Sequence, residues 1–166
     1  MDTANTTSGT AADGARPSGA DEALAEETVE SLASRAVRAA SAAGLSLGTA
    51  ESLTGGALAA AIVSVPGASA AFEGSVVSYS HAVKQRVLGV EAQLLERTGA
   101  VSAEVAEAMA SGARTALGIG TVWLGAAGPR GLSSRLLRLE DDREQIRRLS
   151  VRAALEMLVE ILGASQ

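Results

Sequence analysis

The feature that most constrains this chain is its alternation of short apolar runs with stretches of helical periodicity. Leu45 to Ala50 reads as a strand, Glu51-Ser52-Leu53-Thr54-Gly55-Gly56 as a small, glycine-rich turn, and the alanine-rich run to about Val65 as a helix. Pro66-Gly67 then marks a tight turn, followed by a short helical turn, a strand over Ser75 to Ser80 and the start of another helix. Upstream, Leu24, Thr28, Leu32, Ala36 and Ala39 recur at helical spacing, and Gly44 stands where such a helix would close. Downstream, Ala82 to Leu88 closes at Gly89, and Glu91 to Arg97 closes at Gly99. Ser102 is placed to cap a helix running to about Leu117. Gly120 to Ala127 reads as a strand, Gly128-Pro129-Arg130-Gly131 as a turn, and Leu132 to Leu139 as a further strand. An amphipathic helix over Arg143 to Leu162 ends the pattern. Strands separated by helices predict an α/β sandwich with helices packed on the sheet.

Residues 1–20 carry almost no large apolar side chain, so they are expected to form a disordered tail before a single domain over residues 21–166. Aromatic residues make up only 2% of the chain, which makes its core aliphatic. A net charge of −5 argues against a nucleic-acid or anionic-membrane surface, both of which need clustered basic residues. The absence of cysteine removes disulfides, thiolate zinc sites and a cysteine nucleophile, and it fits a reducing cytoplasm. No basic stretch followed by an apolar run opens the sequence. The longest apolar segment is broken by Ser64, Pro66 and Gly67, so a soluble cytoplasmic domain is expected.

Two stretches carry chemistry. The first holds Ser69, Tyr79 and Lys84. A serine becomes a useful nucleophile when a neighbouring base takes its proton, and with His81 as the only imidazole a lysine is the alternative base. Burial would favour its neutral form. The bland readings are that Ser69 caps a helix, Tyr79 fills a strand and Lys84 is solvated. The second stretch is the turn from Ser52 to Gly56, where backbone N–H groups and the helix N-terminus suit an anion. There too a plainer reading stands: Ser52 or Thr54 caps the helix and Gly55 and Gly56 allow the turn.

Taken together, Glu51-Ser-Leu-Thr-Gly-Gly56, Pro66-Gly-Ala-Ser69, Tyr79-Ser80 with Lys84, Leu88-Gly-Val90, Gly99-Ala-Val-Ser102 and Gly120-Thr-Val-Trp123 resemble a known family. It is the C-terminal domain of the competence/damage-inducible protein CinA, the nicotinamide-nucleotide amidase family, and the likeness runs from about Asp21 onward. The resemblance implies a three-layer α/β/α sandwich, often a homodimer, that hydrolyses the carboxamide of nicotinamide mononucleotide to the acid and ammonia. It implies neither metal nor organic cofactor. By position, Ser69 is expected as the nucleophile, Lys84 as the lysine that activates it and Tyr79 as a support for the pair. The same resemblance gives Ser52, Thr54, Gly55 and Gly56 a place in the substrate pocket, and Arg143 the substrate phosphate. Full-length CinA proteins carry an additional N-terminal domain, for which 166 residues leave no room.

One departure divides the expectation. In the family a buried strand and a Gly-Ile-Ala-Gly-Pro loop precede Gly-Thr-Val-Trp. Here Ala113-Arg-Thr-Ala-Leu-Gly-Ile-Gly-Thr-Val-Trp123 runs from helix directly into that motif, and Gly125-Ala-Ala-Gly-Pro129 imitates the loop only after the tryptophan. Two outcomes remain open: an amidohydrolase whose sheet lacks a strand, and a non-catalytic domain of the same fold that binds a nucleotide or a protein.

Overall fold

Local capping chemistry sets the frame. The Thr28 hydroxyl accepts from the Ser31 N–H at 3.2 Å and starts helix α1, Val29–Ala43, which Gly44 closes in the left-handed conformation. The helix therefore begins later than its periodicity suggests, because the extended backbone of Thr28 cannot continue it backward. This structure, a computed structural model, describes residues 27–117, 127–128, 131–132 and 142–163. Residues 1–20, the expected start of the first helix before residue 27, most of the strands expected over Gly120–Ala127 and Leu132–Leu139, and Trp123 lie outside the described residues.

Strand β1, Leu47–Glu51, is followed by helix α2, Ala57–Val63, a short 3₁₀ turn at Ala68–Ala70 and strand β2, Phe72–Val77. β1 and β2 pair in parallel, from Leu47 opposite Phe72 to Glu51 opposite Val77, with an irregularity that gives β2 one extra residue near Glu73. β2 starts and ends three residues earlier than the sequence pattern suggests. Ser78 still donates its N–H to the Glu51 carbonyl at 2.7 Å, but Ser80 already caps the next helix through the Val83 N–H. Helices α3 (His81–Leu88), α4 (Ala92–Thr98) and α5 (Ala103–Ala116) follow, α5 capped by Ser102 as expected. Ala127–Gly128 (β3) and Gly131–Leu132 (β4) pair antiparallel where the sequence places a turn, and helix α6 runs over Arg143–Gly163.

The described elements make three layers. On one face of the β1–β2 pair, α1, α2 and α6 close a core around Leu32, Val37, Leu58, Ile62 and Leu155, and the buried Leu47 joins Ala36, Ala40 and Leu158 beside it. On the other face, Ala50 and Val76 pack under Leu88, Val105 and Met109 of α3 and α5. The alternation is that of a strand with both faces covered: Leu47 and Glu51 face the side of α1, α2 and α6, and Ala50 faces α5. Full burial of a side chain such as Ile62 contributes about 2 kcal/mol, which is how a helix as short as α2 persists.

The α3–α5 approach is unusually close, and it matters because α3 carries Lys84. A Cβ on Gly112 of α5 would lie 1.9 Å from the Leu88 carbonyl oxygen. The two backbones touch there, and only glycine admits the contact. Gly112→Ala is therefore expected to cost about 3 kcal/mol in urea denaturation, whereas Gly163→Ala, with open space around it, should change stability by about 0.5 kcal/mol or less. Equal midpoints for the two variants would contradict the close crossing.

Candidate active site

The site forms at the carboxyl ends of the two parallel strands, where open α/β sheets present their loops. Its foundation is Glu51, the last residue of β1 and only 2% exposed. Its carboxylate accepts from the N–H groups of Gly56 (2.9 Å), Leu58 (3.1 Å) and Ala59 (2.8 Å) at the start of α2. A hydroxyl relay adds to this: Thr49 donates to Ser75 at 2.7 Å, and Ser75 donates to Glu51 at 3.2 Å. A carboxylate at a helix N-terminus satisfies donors that would otherwise be orphaned and meets the favourable end of the dipole. Both sequence readings of this turn change as a result. Neither the Ser52 nor the Thr54 hydroxyl caps α2, and the converging N–H groups already hold the chain's own carboxylate. The N–H of Gly56 goes to Glu51 and that of Gly55 to the Ser52 carbonyl, so neither glycine offers its N–H to a phosphate. Gly55 and Gly56, at φ 63° and 97°, supply two successive left-handed residues that fold the turn back onto Glu51.

Relieved of capping, Ser52 meets Lys84. Lysine 84 is the only lysine in the chain and is fully buried. It sits in the first turns of α3, so its side chain leans back toward the helix N-terminus and the end of the sheet. There Nζ reaches the Ser52 hydroxyl at 3.0 Å, the Ser78 carbonyl at 2.5 Å and, more distantly, the Tyr79 carbonyl at 3.5 Å. Among the described residues no carboxylate forms an ion pair with it. Burial pushes its pKa below the ordinary lysine value, and the neighbouring Tyr79 phenol works weakly in the other direction.

The expected partner, Ser69, is not at this site. It lies exposed on the 3₁₀ turn before β2, whereas the Lys84 ammonium binds the carbonyl of Ser78, just beyond the other end of that strand. The six residues of β2 put about 17 Å of extended chain between the two positions. The Ser69–Lys84 pairing is thus corrected: the parallel β1–β2 pairing delivers Ser52, not Ser69, to the lysine.

Tyr79 and Arg143 come together. The first residue of α6 donates from its Nη2 to the Tyr79 hydroxyl at 2.6 Å, and both side chains are exposed. One turn further along α6, Arg147 donates from Nη2 to the Thr54 carbonyl at 2.9 Å. Arg147 had no role in the sequence reading. Its only signal there is the four-residue spacing from Arg143, which puts both guanidinium groups on one face of the helix.

A family model, that of the CinA C-terminal domain, matches residues 29–119 and 116–162. The chain belongs to the CinA C-terminal domain family. A CinA-like protein of Frankia casuarinae is 42% identical over 137 residues, covering 70% of this chain and 32% of that protein. A nicotinamide-nucleotide amidohydrolase PncC of Pseudomonas putida is 42% identical over 134 residues, 68% of this chain and 84% of its own length. A CinA-superfamily crystal structure from Klebsiella pneumoniae superposes with a TM-score of 0.73 at 29% identity, covering 83% of this chain and 99% of that one. The chain spans about a third of the length of the Frankia CinA-like relative. The two matched stretches overlap at residues 116–119, inside the Ala113–Trp123 segment.

The capping role of Glu51 in this CinA-family turn is directly testable. Glu51→Ala leaves three N–H groups without their acceptor and should lower stability by about 3 kcal/mol. Thr54→Ala should change it by about 0.5 kcal/mol or less. A larger loss for Thr54→Ala than for Glu51→Ala in chemical denaturation would restore the hydroxyl-cap reading.

Proposed function

We propose that the domain is an amidohydrolase that deamidates a nicotinamide nucleotide, nicotinamide mononucleotide in the first instance, with Ser52 as nucleophile and Lys84 as its base. The observation that carries this reading is the 3.0 Å contact between the Ser52 hydroxyl and a buried lysine that has no carboxylate partner among the described residues. The substrate class is supported by the likeness to the Pseudomonas putida nicotinamide-nucleotide amidohydrolase.

The surroundings of Nζ suit proton transfer in both directions. A neutral amine has two N–H donors and one lone pair. The carbonyls of Ser78 and Tyr79 take the donors, and the lone pair faces the Ser52 hydroxyl hydrogen. A protonated amine has three donors for the same three acceptors. Lys84 can therefore accept and return a proton without moving its heavy atoms.

Neutral Lys84 takes the Ser52 proton as Oγ attacks the carboxamide carbon, and the carbonyl π electrons move to oxygen. The N–H groups of Leu53 and Thr54 donate to no acceptor among the described residues and stand next to the nucleophile, where an oxyanion would form. The lysine ammonium then protonates the departing nitrogen, the C–N bond breaks, and ammonia leaves an ester on Ser52. Water, losing a proton to the again neutral Lys84, attacks that ester, and the carboxylic acid departs as Ser52 regains its proton. Tyr79, held by Arg143, borders the lysine. Arg143 itself is the exposed cation available to a substrate phosphate.

The division of the family match into two stretches that overlap at residues 116–119 favours a second reading, a non-catalytic domain that binds a nucleotide or a protein. Ammonia release from nicotinamide mononucleotide separates the two. Ser52→Ala and Lys84→Met should each lower kcat by about 10³-fold, while Ser69→Ala leaves turnover unchanged. Loss of turnover in Ser69→Ala, or its survival in Ser52→Ala, would overturn the assignment of the nucleophile. A folded, unmutated protein that releases no ammonia would overturn the amidase reading for this substrate.

The pH dependence follows from the lowered pKa of Lys84. The base works in its neutral form, so kcat/KM should rise with pH, with its midpoint below the ordinary lysine value of about 10.4. A rise centred at or above that value would contradict a buried base.

A further inference from the structure

The first two turns of α6 reach both arms of the proposed site. Arg143 bonds the Tyr79 hydroxyl, on the arm that carries Lys84, and Arg147 bonds the Thr54 carbonyl, on the arm that carries Ser52. The two contacts differ in kind. Arg143 is exposed and meets an exposed phenol. Arg147 is partly buried and lies alongside the turn: a Cβ on Gly55 would stand 3.5 Å from its Nη2, at ordinary van der Waals distance. Its Nε is buried and donates to no acceptor among the described residues, so the side chain is placed for its Nη2 bond rather than for complete pairing of its own donors.

We infer that Arg147 is a positioning residue for the amidase reaction: by holding the Thr54 carbonyl it fixes the Ser52 turn against Lys84. The inference rests on the Ser52–Lys84 reading above and assigns it a residue that touches neither reacting group. The other end of the turn is already fixed by Glu51, through Gly56 and α2. Between Glu51 and Gly56 lie four residues, and the Thr54 carbonyl is the point where α6 grips their backbone. Without that grip the turn is held along its length only by its own backbone bonds, from the Gly55 N–H to the Ser52 carbonyl at 3.1 Å and from the Ala57 N–H to the Thr54 carbonyl at 3.2 Å. A displacement of about 1 Å between nucleophile and base is enough to cost about 100-fold in rate.

Two variants and two readouts test this. Arg147→Met keeps the length of the side chain and removes its donors; Arg147→Lys keeps one donor for the Thr54 carbonyl. Turnover of nicotinamide mononucleotide is measured alongside the rate at which a small fluorophosphonate labels Ser52, followed by peptide mass spectrometry. Arg147→Met should lower kcat by about 10- to 100-fold with little change in KM, and slow Ser52 labelling in parallel. Arg147→Lys should recover part of both. A role confined to stability would lower the unfolding midpoint and leave both rates of the folded protein intact, and a role in binding substrate would raise KM alone. Either result overturns the positioning role. Labelling of Ser52 without ammonia release from the unmutated protein would retire the substrate assignment only, with Arg147 still judged by the labelling rate. If Ser52 in the unmutated protein resists the probe, both readings fall.

Discussion

A carboxylate buried at the end of a strand organises this domain. Glu51 has no cation to pair with in the structure as described. Its charge is met by three backbone N–H groups, by the N-terminal end of α2 and by a hydroxyl relay from β1 and β2. Those bonds tie together the two strands and the helix between them. They also account for a helix of seven residues that would be marginal alone. The functional consequence is indirect but large. Because Glu51 satisfies the helix, the serine that follows it is released from the task that serines at helix starts usually perform.

What Ser52 does instead is set by the second buried polar group. The chain places its single lysine in a buried position with no counter-charge among the described residues, against two carbonyls and a hydroxyl. A merely structural ammonium would be expensive there. The arrangement makes sense for an amine that must be neutral part of the time, and the hydroxyl beside it is the group that gains from that. The close crossing at Gly112 keeps α3, and Lys84 with it, pressed toward the sheet. The likeness to a nicotinamide-nucleotide amidohydrolase bears on the proposed substrate class alone, and the choice of Ser52 over Ser69 stands on the geometry of Ser52 and Lys84.

The parts of the fold that were legible in the sequence are those decided locally. Gly44, Gly89 and Gly99 close helices, Ser102 opens one, and the last helix begins at Arg143. β2 was displaced in the reading because its irregularity near Glu73 disturbs the alternation, and because Ser78 to Ser80, strand-like in composition, serve as exit and cap. The site was half legible. Lys84, Tyr79 and the Ser52 turn all stand out in the sequence, but the pattern points the lysine to the serine 15 residues away rather than to the one 32 residues away. Proximity in sequence gave no guide, since parallel pairing brings the residues after β1 and after β2 to one end of the sheet while Ser69 stays at the other. Glu51 and Arg147 were missed for the same reason. The cap lies five residues before the N–H it satisfies first, and the arginine acts on a carbonyl 93 residues away, so neither leaves a short-range pattern.

The central claim is that Lys84 sits buried against Ser52 with its ammonium destabilised. Because it is the only lysine, its side-chain amine gives a single resolvable signal in a nitrogen-15 NMR titration of the labelled protein. The account predicts a titration below the ordinary value of about 10.4, with the signal altered by Ser52→Ala. A signal that titrates at the ordinary value, exchanges freely with solvent and ignores Ser52→Ala would place the lysine in water and contradict the account.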